Sequence, residues 1–320
     1  MSPADTPLLE GPLLAEQAAL VLGLAEAARQ ADGVAPLSEH AMLHVQHPGK
    51  EPTGGASRDL LIVRDGAAVA YAHLDPPGDG ELVVHPAYRR QGYGSALLAA
   101  LTEGAGPEVD GPGPGDHGIR LWAHGDLPAA EGFARTRGLT RVRSLWQMRK
   151  ALGASADLPE PAFPAGVSVR TFVPGKDEEA WLRVNSRAFA HHPEQGSWTR
   201  QDLQLREAES WFDPAGFFLA ERGGELIGFH WTKVHESGPD GTPEGEVYVV
   251  GVDPGQQGGG LGRALTLVGL LHLRDEGLAH VMLYVDEDNT AARRMYTNMG
   301  FDRWNADVMY ERETSEQASP

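Results

Sequence analysis

The sequence predicts an α/β fold, of the α+β kind with mixed sheets, that occurs as two tandem units. A strand, a glycine-rich loop and a helix follow one another twice, at 82–103 and again at 250–276. Strand-like apolar runs alternate with helix-like segments through both halves of the 320 residues, as in α/β and α+β domains. A stretch rich in Pro and Gly at 153–166 separates the halves. We therefore expect an N-terminal domain at 1–152, a linker at 153–166 and a C-terminal domain at 167–320.

The first half predicts each element of one unit in order. A helix at 13–31 places Leu13, Leu20, Leu24 and Ala28 on one face and ends at the glycine after Asp32. The Asp65-Gly66 pair predicts a hairpin between the first two strands. The remaining predictions are strands at 60–64, 69–74, 81–85, 119–124 and 141–149, helices at 92–103 and 128–137, and a Gly/Pro-rich loop at 104–118.

The second half repeats this order. An acidic first turn favours a helix at 177–190, and Thr199 predicts the N-cap of another helix. The remaining predictions are strands at 167–171, 217–221, 226–234, 246–252, 280–286 and 304–312, and helices at 258–276 and 289–299.

Composition excludes several classes of protein. Hydrophobic residues make up 41% and charged residues 22% of the chain, and no apolar run or leader pattern predicts a membrane or secreted location, so a cytoplasmic protein is expected. A net charge of −18 argues against a nucleic-acid partner. The absence of cysteine excludes disulfides, a thiolate nucleophile and cysteine-ligated metals. The 13 histidines show no recognised metal-ligand spacing, so no metal is expected.

The two glycine-rich loops predict anion sites. Glycine lets the backbone approach phosphate oxygens closely, and the first N–H groups of the following helix point at the anion. One such loop is weak support for a site, but the same loop between a strand and a helix in both halves predicts two pyrophosphate cradles.

The motifs RRQGYG at 89–94 and QGGGLG at 257–262 resemble the acetyl-CoA signature of the GNAT acetyltransferase superfamily. LYV at 283–285, NTAARRMY at 289–296 and MGF at 299–301 resemble its closing strand and helix. The resemblance implies two GNAT domains with acetyl-CoA as cosubstrate. Its implied cofactor contacts are Leu82, Val83, Val84, Arg90, Gln91, Gly92, Tyr93, Gly94 and Ser95 in the first copy, and Val250, Gly251, Val252, Gln257, Gly258, Gly259, Gly260, Leu261, Gly262, Arg263, Asn289, Thr290, Ala291, Ala292, Arg293 and Arg294 in the second.

A narrower resemblance, to the mycothiol synthase family of actinobacteria, covers nearly the whole chain. It is carried by DGVAP at 32–36, LWAHG at 121–125, HPEQG at 192–196, WFDP at 211–214 and GFHWTKV at 228–234. It implies acetyl transfer to the cysteinyl amine of a cysteine–glucosamine–inositol conjugate. The substrate contacts that it implies are Glu39, Glu194, Lys233, Glu246 and Tyr284; because Glu39 is in the first half, the substrate is expected between the domains.

The two copies differ in their reactive side chains. Aligned on their loops and last helices, Gly78 stands opposite Glu246, Ala134 opposite Tyr296 and Leu127 opposite Asn289. The C-terminal copy is therefore expected to be catalytic, with Glu246 as base for the amine and Tyr296 as acid for the leaving thiolate. A backbone N–H on a distorted strand at 250–252, with Gly251 permitting the distortion, is expected to polarise the thioester.

Three interpretations stay open at this point. Besides a mycothiol synthase, the chain could be another tandem GNAT enzyme that acetylates a different amine, or a non-catalytic acyl-CoA-binding protein. Gly258 and Gly259 stand where the superfamily often has basic residues, which predicts salt-sensitive CoA binding in the second copy. A small-molecule substrate and a monomer are expected.

Overall fold

A computed structural model describes residues 7–48, 57–76, 78–103, 119–153, 158–238 and 240–312, with the side chains of 193 and 194 excepted. The expected loop at 104–118 lies outside these residues. The chain forms two compact units, with Met1–Leu145 and Asn305–Pro320 in unit 1 and Trp146–Trp304 in unit 2. Among the described residues, no helix has both the length and the apolar character needed to span a membrane.

Unit 1 is a mixed sheet with helices on its two faces. The strands run in the order β1-β2-β3-β4-β5-β12, with β4 and β5 parallel. Two buried clusters flank the sheet, one including side chains of α1 and α2 and the other including side chains of α3 and α4. Its elements are β1 (Leu8–Glu10), α1 (Ala15–Asp32), α2 (Glu39–Gln46), β2 (Arg58–Arg64), β3 (Ala67–Asp75), β4 (Asp79–Val84), α3 (Tyr93–Glu103), β5 (Arg120–Ala123), α4 (Pro128–Thr136), and the parts of β6 (Leu139–Ala151) and β12 (Asp302–Arg312) that fall in this unit.

Unit 2 has the same plan, in the strand order β6-β11-β10-β9-β8-β7 with β10 and β11 parallel. Thr199 caps its helix as predicted, since its hydroxyl accepts from the N–H of Asp202 at 3.3 Å. Its remaining elements are β7 (Val167–Thr171), α5 (Glu178–Ala188), α6 (Pro193–Gly196), α7 (Arg200–Glu207), β8 (Phe217–Arg222), β9 (Glu225–His235), β10 (Glu244–Val252), α8 (Leu261–Asp275), β11 (His280–Asp286) and α9 (Thr290–Asn298).

The units divide the chain differently from the boundaries expected at 152 and 167. Residues 308–311 of β12 pair with β5, so this part of β12 belongs to unit 1. Residues 146–151 of β6 lie beside β11 in unit 2. Leu158 and Phe163 also pack on unit 2 clusters, so the part of the expected linker that the structure describes is joined to that unit. Strand β1 and helix α2 were not expected from the sequence.

The burial of one histidine leads us to expect a loss of stability at acid pH. His230 of β9 is fully buried, and its Nδ1 lies 2.8 Å from the carbonyl oxygen of Leu265. Burial lowers the pKa of His230 to about 4. Because its folded pKa lies below the ordinary value, the unfolded chain binds the proton first. The contribution of His230 to the free energy of unfolding is fully present above the ordinary pKa of about 6.5. It falls by about 1.4 kcal/mol per pH unit as the pH drops toward 4.

We expect a His230→Gln variant, whose amide can still donate to Leu265, to lack this component of the pH dependence. The measurement is urea unfolding of both proteins, followed by tryptophan fluorescence between pH 7 and 4. The free-energy advantage of the wild type should shrink by roughly 3 kcal/mol over that range. A difference between the two proteins that stays constant with pH would contradict the prediction.

Candidate active site

The parallel strands β10 and β11 separate near their carboxyl ends. Within the described residues, their ladder joins only 245–247 to 281–283, whereas β10 continues to Val252 and β11 to Asp286. On the other side of β10, a register shift against β9 places a bulge at Tyr248. The sheet of unit 2 therefore opens beside the carboxyl end of β10, where its amide groups are not held by β11.

The strand is distorted at Tyr248 and not at 250–252, where the distortion was expected from the sequence. Residues 250–252 pair regularly with 228–230 of β9, and Gly251 does not adopt a left-handed conformation. A Cβ atom at Gly251 would instead lie 2.7 Å from two ring carbons of Phe229. The glycine is required by close packing on Phe229, and the irregularity lies three residues earlier.

Three of the predicted residues share one face of the sheet beside this opening. Glu246 is in register with Lys233 on β9 and with Met282 on β11, and register partners project to the same side. Tyr284 follows Met282 by two positions, so it projects to that side as well. Lys233 is nearly buried, with its Nζ 4.3 Å from the ring centre of Trp211 and 5.3 Å from that of Tyr248. Tyr284 is 42% exposed.

Glu246 has a neighbour that was not expected. Its side chain is 7% exposed, and Oε2 lies 2.7 Å from Nε2 of His235, a half-exposed residue at the end of β9. The ring can donate this hydrogen bond and fix the rotamer of the carboxylate. The alternation of β9 places Lys233 and His235 on one face, and this was the available sequence signal.

Tyr296 lies on the opposite face. It belongs to the buried cluster that contains Val247 and Leu283, and its ring packs edge to face on Phe301 with centroids 5.7 Å apart. Burial raises the pKa of the Tyr296 hydroxyl well above its ordinary value, so it stays protonated at neutral pH. Glu246 and Tyr296 therefore flank the sheet from its two sides, next to the segment where β10 and β11 separate.

The loop after β10 has the geometry of an anion cradle. Asp253 accepts from the N–H of Gly255 at 2.9 Å and fixes the turn, after which residues 257–260 are exposed. Gly258 and Gly260 have φ values of 90° and 80°, in the left-handed region that glycine adopts without strain. No side chain caps Gly260, the residue before α8. The first N–H groups of α8 therefore remain available to an anion.

The other predicted cofactor residues fall at the ends of elements around this loop. Val250, Gly251 and Val252 end β10, while Leu261, Gly262 and Arg263 begin α8. Asn289 caps α9, because its carboxamide oxygen accepts from the N–H of Ala292 at 3.1 Å. The guanidinium of Arg293 lies 4.6 Å from the ring centre of Trp146. Thr290, Ala291 and Arg294 lie in the first turns of α9.

Unit 1 repeats the loop without a counterpart of Tyr296. The expected alignment of Gly78 with Glu246 is wrong by one residue, because Asp79 pairs with Arg120 as Glu246 pairs with Met282, and the bulge at Tyr248 accounts for the shift. Its parallel ladder joins 79–81 to 120–122, and β4 continues to Val84. Arg90 and Gly92 have φ values of 63° and 95°, matching Gly258 and Gly260. Ala134 on α4 holds the place of Tyr296 on α9 and is buried. The remaining predicted contacts, Leu82, Val83, Gln91, Tyr93, Gly94 and Ser95, lie on β4, in the loop or at the start of α3.

The left-handed conformation explains why residue 258 is a glycine. It also predicts that glycine stabilises position 90 of unit 1, whereas replacing the glycine at 258 destabilises unit 2. An L-residue with a side chain pays about 1 kcal/mol in this conformation. We expect Arg90→Gly to be more stable than Arg90→Ala by about 1 kcal/mol, since both remove the charge and only glycine relieves the strain. We expect Gly258→Ala to be destabilised by a similar amount. Denaturant unfolding of the three variants measures these differences, and equal stability of the two Arg90 variants would contradict the interpretation.

Two predicted residues lie outside this arrangement. Glu39 is the first residue of α2 in unit 1, and Ser38 caps that helix by accepting from the N–H of Ala41 at 3.2 Å. Glu194 falls in the short helix α6, but its side chain is outside the described part of the structure.

Comparisons with known proteins agree with this geometry. A model described as the acetyltransferase (GNAT) family matches residues 181–301, and one described as an acetyltransferase (GNAT) domain matches residues 56–138. A solved tandem GNAT protein from the clavulanic acid biosynthesis pathway superposes with a TM-score of 0.69 at 21% identity, covering 97% of this chain and 100% of that one. The chain is thus a tandem-domain GNAT N-acetyltransferase.

Comparison with curated relatives identifies the family within this class of acetyltransferases. A mycothiol acetyltransferase of Thermobispora bispora is 57% identical, with 91% of this chain and 95% of the relative covered. One of Thermomonospora curvata is 58% identical, with 92% and 93% covered. The chain belongs to the mycothiol acetyltransferase family.

Proposed function

We propose that the protein transfers the acetyl group of acetyl-CoA to the cysteinyl amine of 1D-myo-inositol 2-(L-cysteinylamino)-2-deoxy-α-D-glucopyranoside, giving mycothiol and CoA. The observation that carries this proposal is the identity of 57–58% to relatives named mycothiol acetyltransferase over more than nine tenths of the chain. The opened sheet with Glu246, Lys233 and Tyr284 on one face supports it.

In the proposed reaction the amine attacks the thioester carbon directly. An α-amine has an ordinary pKa of about 7.7–8.0, so near neutral pH much of it is protonated and must lose a proton before it can attack. A positioned carboxylate can take that proton, directly or through one water. Glu246 is the base, and the hydrogen bond from His235 holds its carboxylate in place. The C–N bond forms first and gives a tetrahedral carbon; the C–S bond then breaks, and the departing CoA thiolate takes a proton from Tyr296.

The carbonyl oxygen gains negative charge as the carbon becomes tetrahedral. In the proposal, an amide N–H of β10 in the segment beyond the ladder with β11 stabilises this charge, because a fixed donor needs no rearrangement during the reaction. Lys233 and Tyr284 are proposed to bind the polar sugar and inositol groups, together with Glu39 and Glu194.

The chemistry is proposed to occur in the copy that contains Glu246. Unit 1 has the same loop and left-handed turn, so it is proposed to bind acetyl-CoA without turnover. Ala134 replaces the proposed acid there. Asp79 occupies the strand position of Glu246, but its carboxylate forms an ion pair with Arg120.

The direct test is release of CoA thiol with the cysteinyl–glucosaminyl–inositol substrate, compared with free cysteine and with glucosamine. Rapid turnover of the conjugate alone is the expected result. Turnover of a different amine would favour another GNAT acetyltransferase, and no turnover with any amine would favour an acyl-CoA-binding protein.

A Tyr296→Phe variant tests the acid. We expect kcat to fall, by no more than about 10²–10⁴-fold, and by the same factor from pH 6 to 9, because the buried hydroxyl does not ionise in that range. Tyr310→Phe is the matched control, since Tyr310 is also a buried tyrosine with a raised pKa but lies in unit 1. Equal kcat in the wild type and Tyr296→Phe would remove Tyr296 from the mechanism.

A further inference from the structure

Unit 1 contains a buried group of histidines and aspartates that the acetyl transfer does not use. His40 and His44 lie one turn apart on α2, Asp59 lies on β2, and His73 and Asp75 lie on β3. Asp59 and His73 are each 1% exposed. The four-residue spacing of His40 and His44 places both on one face of α2, a signal that was not recognised in the sequence, and β2 and β3 supply the other members.

The corresponding positions of unit 2 are aromatic. His73 pairs with Glu81 on β4, and Trp231 pairs with Val249 at the equivalent place on β10. The next strands continue the comparison, since Asp59 pairs with His73 as Phe217 pairs with Trp231. The fold therefore fills these positions with stacked rings in one copy. Polar groups are not a requirement of the fold here, and burying them costs free energy that an apolar core avoids.

We propose that Nε2 of His40, Nε2 of His73 and the carboxylate of Asp75 bind a divalent transition-metal ion, with zinc the best match. Nε2 of His40 lies 3.3 Å from Oδ2 of Asp75, and Nε2 of His73 lies 3.1 Å from Oδ1. Ligands at bonds of about 2.0–2.1 Å in a tetrahedron are about 3.3 Å apart. The three ligand atoms all lie within 4.8 Å of one another. Two imidazoles and one carboxylate suit zinc.

The orientation of His73 supports this assignment. Its Nε2 is buried, makes no hydrogen bond of good geometry among the described residues and lies at ion-pair distance, 3.1 Å, from Oδ1 of Asp75. Its other nitrogen, Nδ1, lies 3.0 Å from Oδ1 of Asp59. A histidine that binds a metal commonly donates its second N–H to a carboxylate, which sets the tautomer and the ring orientation.

Asp59 is itself held in place. The hydroxyl of Tyr71 donates to its Oδ1 at 2.6 Å, and Nε2 of His44 lies 2.8 Å from its Oδ2. His44 and Asp59 are thus engaged with each other, and they act as positioning residues. His40 and Asp75 have side chains that are 43% and 31% exposed, so solvent reaches the ion and can supply a fourth ligand.

The test is metal binding by the full-length protein after treatment with a chelator. Titration with Co²⁺ alone should give the intense visible bands of a four-coordinate ion at one equivalent per chain, and Zn²⁺ should displace it. We expect His40→Ala and Asp75→Asn to weaken Zn²⁺ binding by at least about 100-fold, and Asp59→Asn to weaken it by about 10–100-fold. His40 and Asp75 are partly exposed, so their variants keep the core intact.

His191→Ala is the matched control, because it removes an exposed histidine of unit 2 and should leave the Co²⁺ spectrum and the Zn²⁺ affinity unchanged. Absence of Co²⁺ or Zn²⁺ binding by the wild type would overturn the proposal. Binding that survives both His40→Ala and Asp75→Asn would overturn it too. None of these readouts depends on acetyl transfer, so they separate this site from the proposed function.

Discussion

Glu246→Gln is expected to lower kcat by about 10²–10⁴-fold, the contribution of one positioned general base. The amide keeps the size of the side chain and can still accept from His235, so the packing of β10 should be preserved. What is lost is the ability to take a proton from the attacking amine. CoA-release kinetics with the conjugate give the measurement, and the KM for acetyl-CoA should change little because the cofactor loop is separate.

Glu244→Gln is the matched control on the same strand. Glu244 is also buried, but its Oε1 accepts from Nε of Arg149 at 2.5 Å, so its carboxylate is used in an ion pair. This variant should lose stability and keep the kcat of the folded enzyme. His235→Gln should lower kcat less than Glu246→Gln does, since His235 acts through the carboxylate. Equal kcat in Glu246→Gln and the wild type would assign the base to another group.

The repeated loop was predictable because its structure depends on local sequence. The turn after each strand needs left-handed residues at two places, and glycine at 258, 260 and 92 satisfies that need without help from distant residues. The boundaries of α4 and α9 also follow from local signals, with Pro128 at the start of one and an Asn289 cap on the other.

Features that depend on distant partners were not predictable. The hydrogen bond between His235 and Glu246 joins two strands, and the bulge at Tyr248 is defined by register with β9. Gly251 suggested a distorted strand, yet the glycine is needed because the ring of Phe229 packs against it. The pairing of the end of β12 with β5 joins residues 308–311 to residues 120–123, which are far apart in the chain. No local pattern encodes that contact.

A second large effect is expected in the aromatic core of unit 2. Trp231 is fully buried, stacks on Phe217 with centroids 4.5 Å apart and packs edge to face on Trp181 at 5.9 Å. We expect Trp231→Ala to lower the free energy of unfolding by about 3–5 kcal/mol, because it removes this burial and leaves a cavity. Such a loss is a large part of the 5–15 kcal/mol of a typical domain.

Trp304→Ala is the matched control, since Trp304 is also in unit 2 but is 58% exposed, with the guanidinium of Arg149 5.2 Å from its ring centre. It should cost no more than about 1 kcal/mol. Urea unfolding of both variants measures the contrast, and similar losses would contradict it. Unit 1 carries His73 where unit 2 carries Trp231, so a polar group hydrogen-bonded to Asp59 replaces the stacked rings at this position of the fold. Trp231→Ala therefore measures how much the stacked rings around Trp231 contribute to the stability of unit 2.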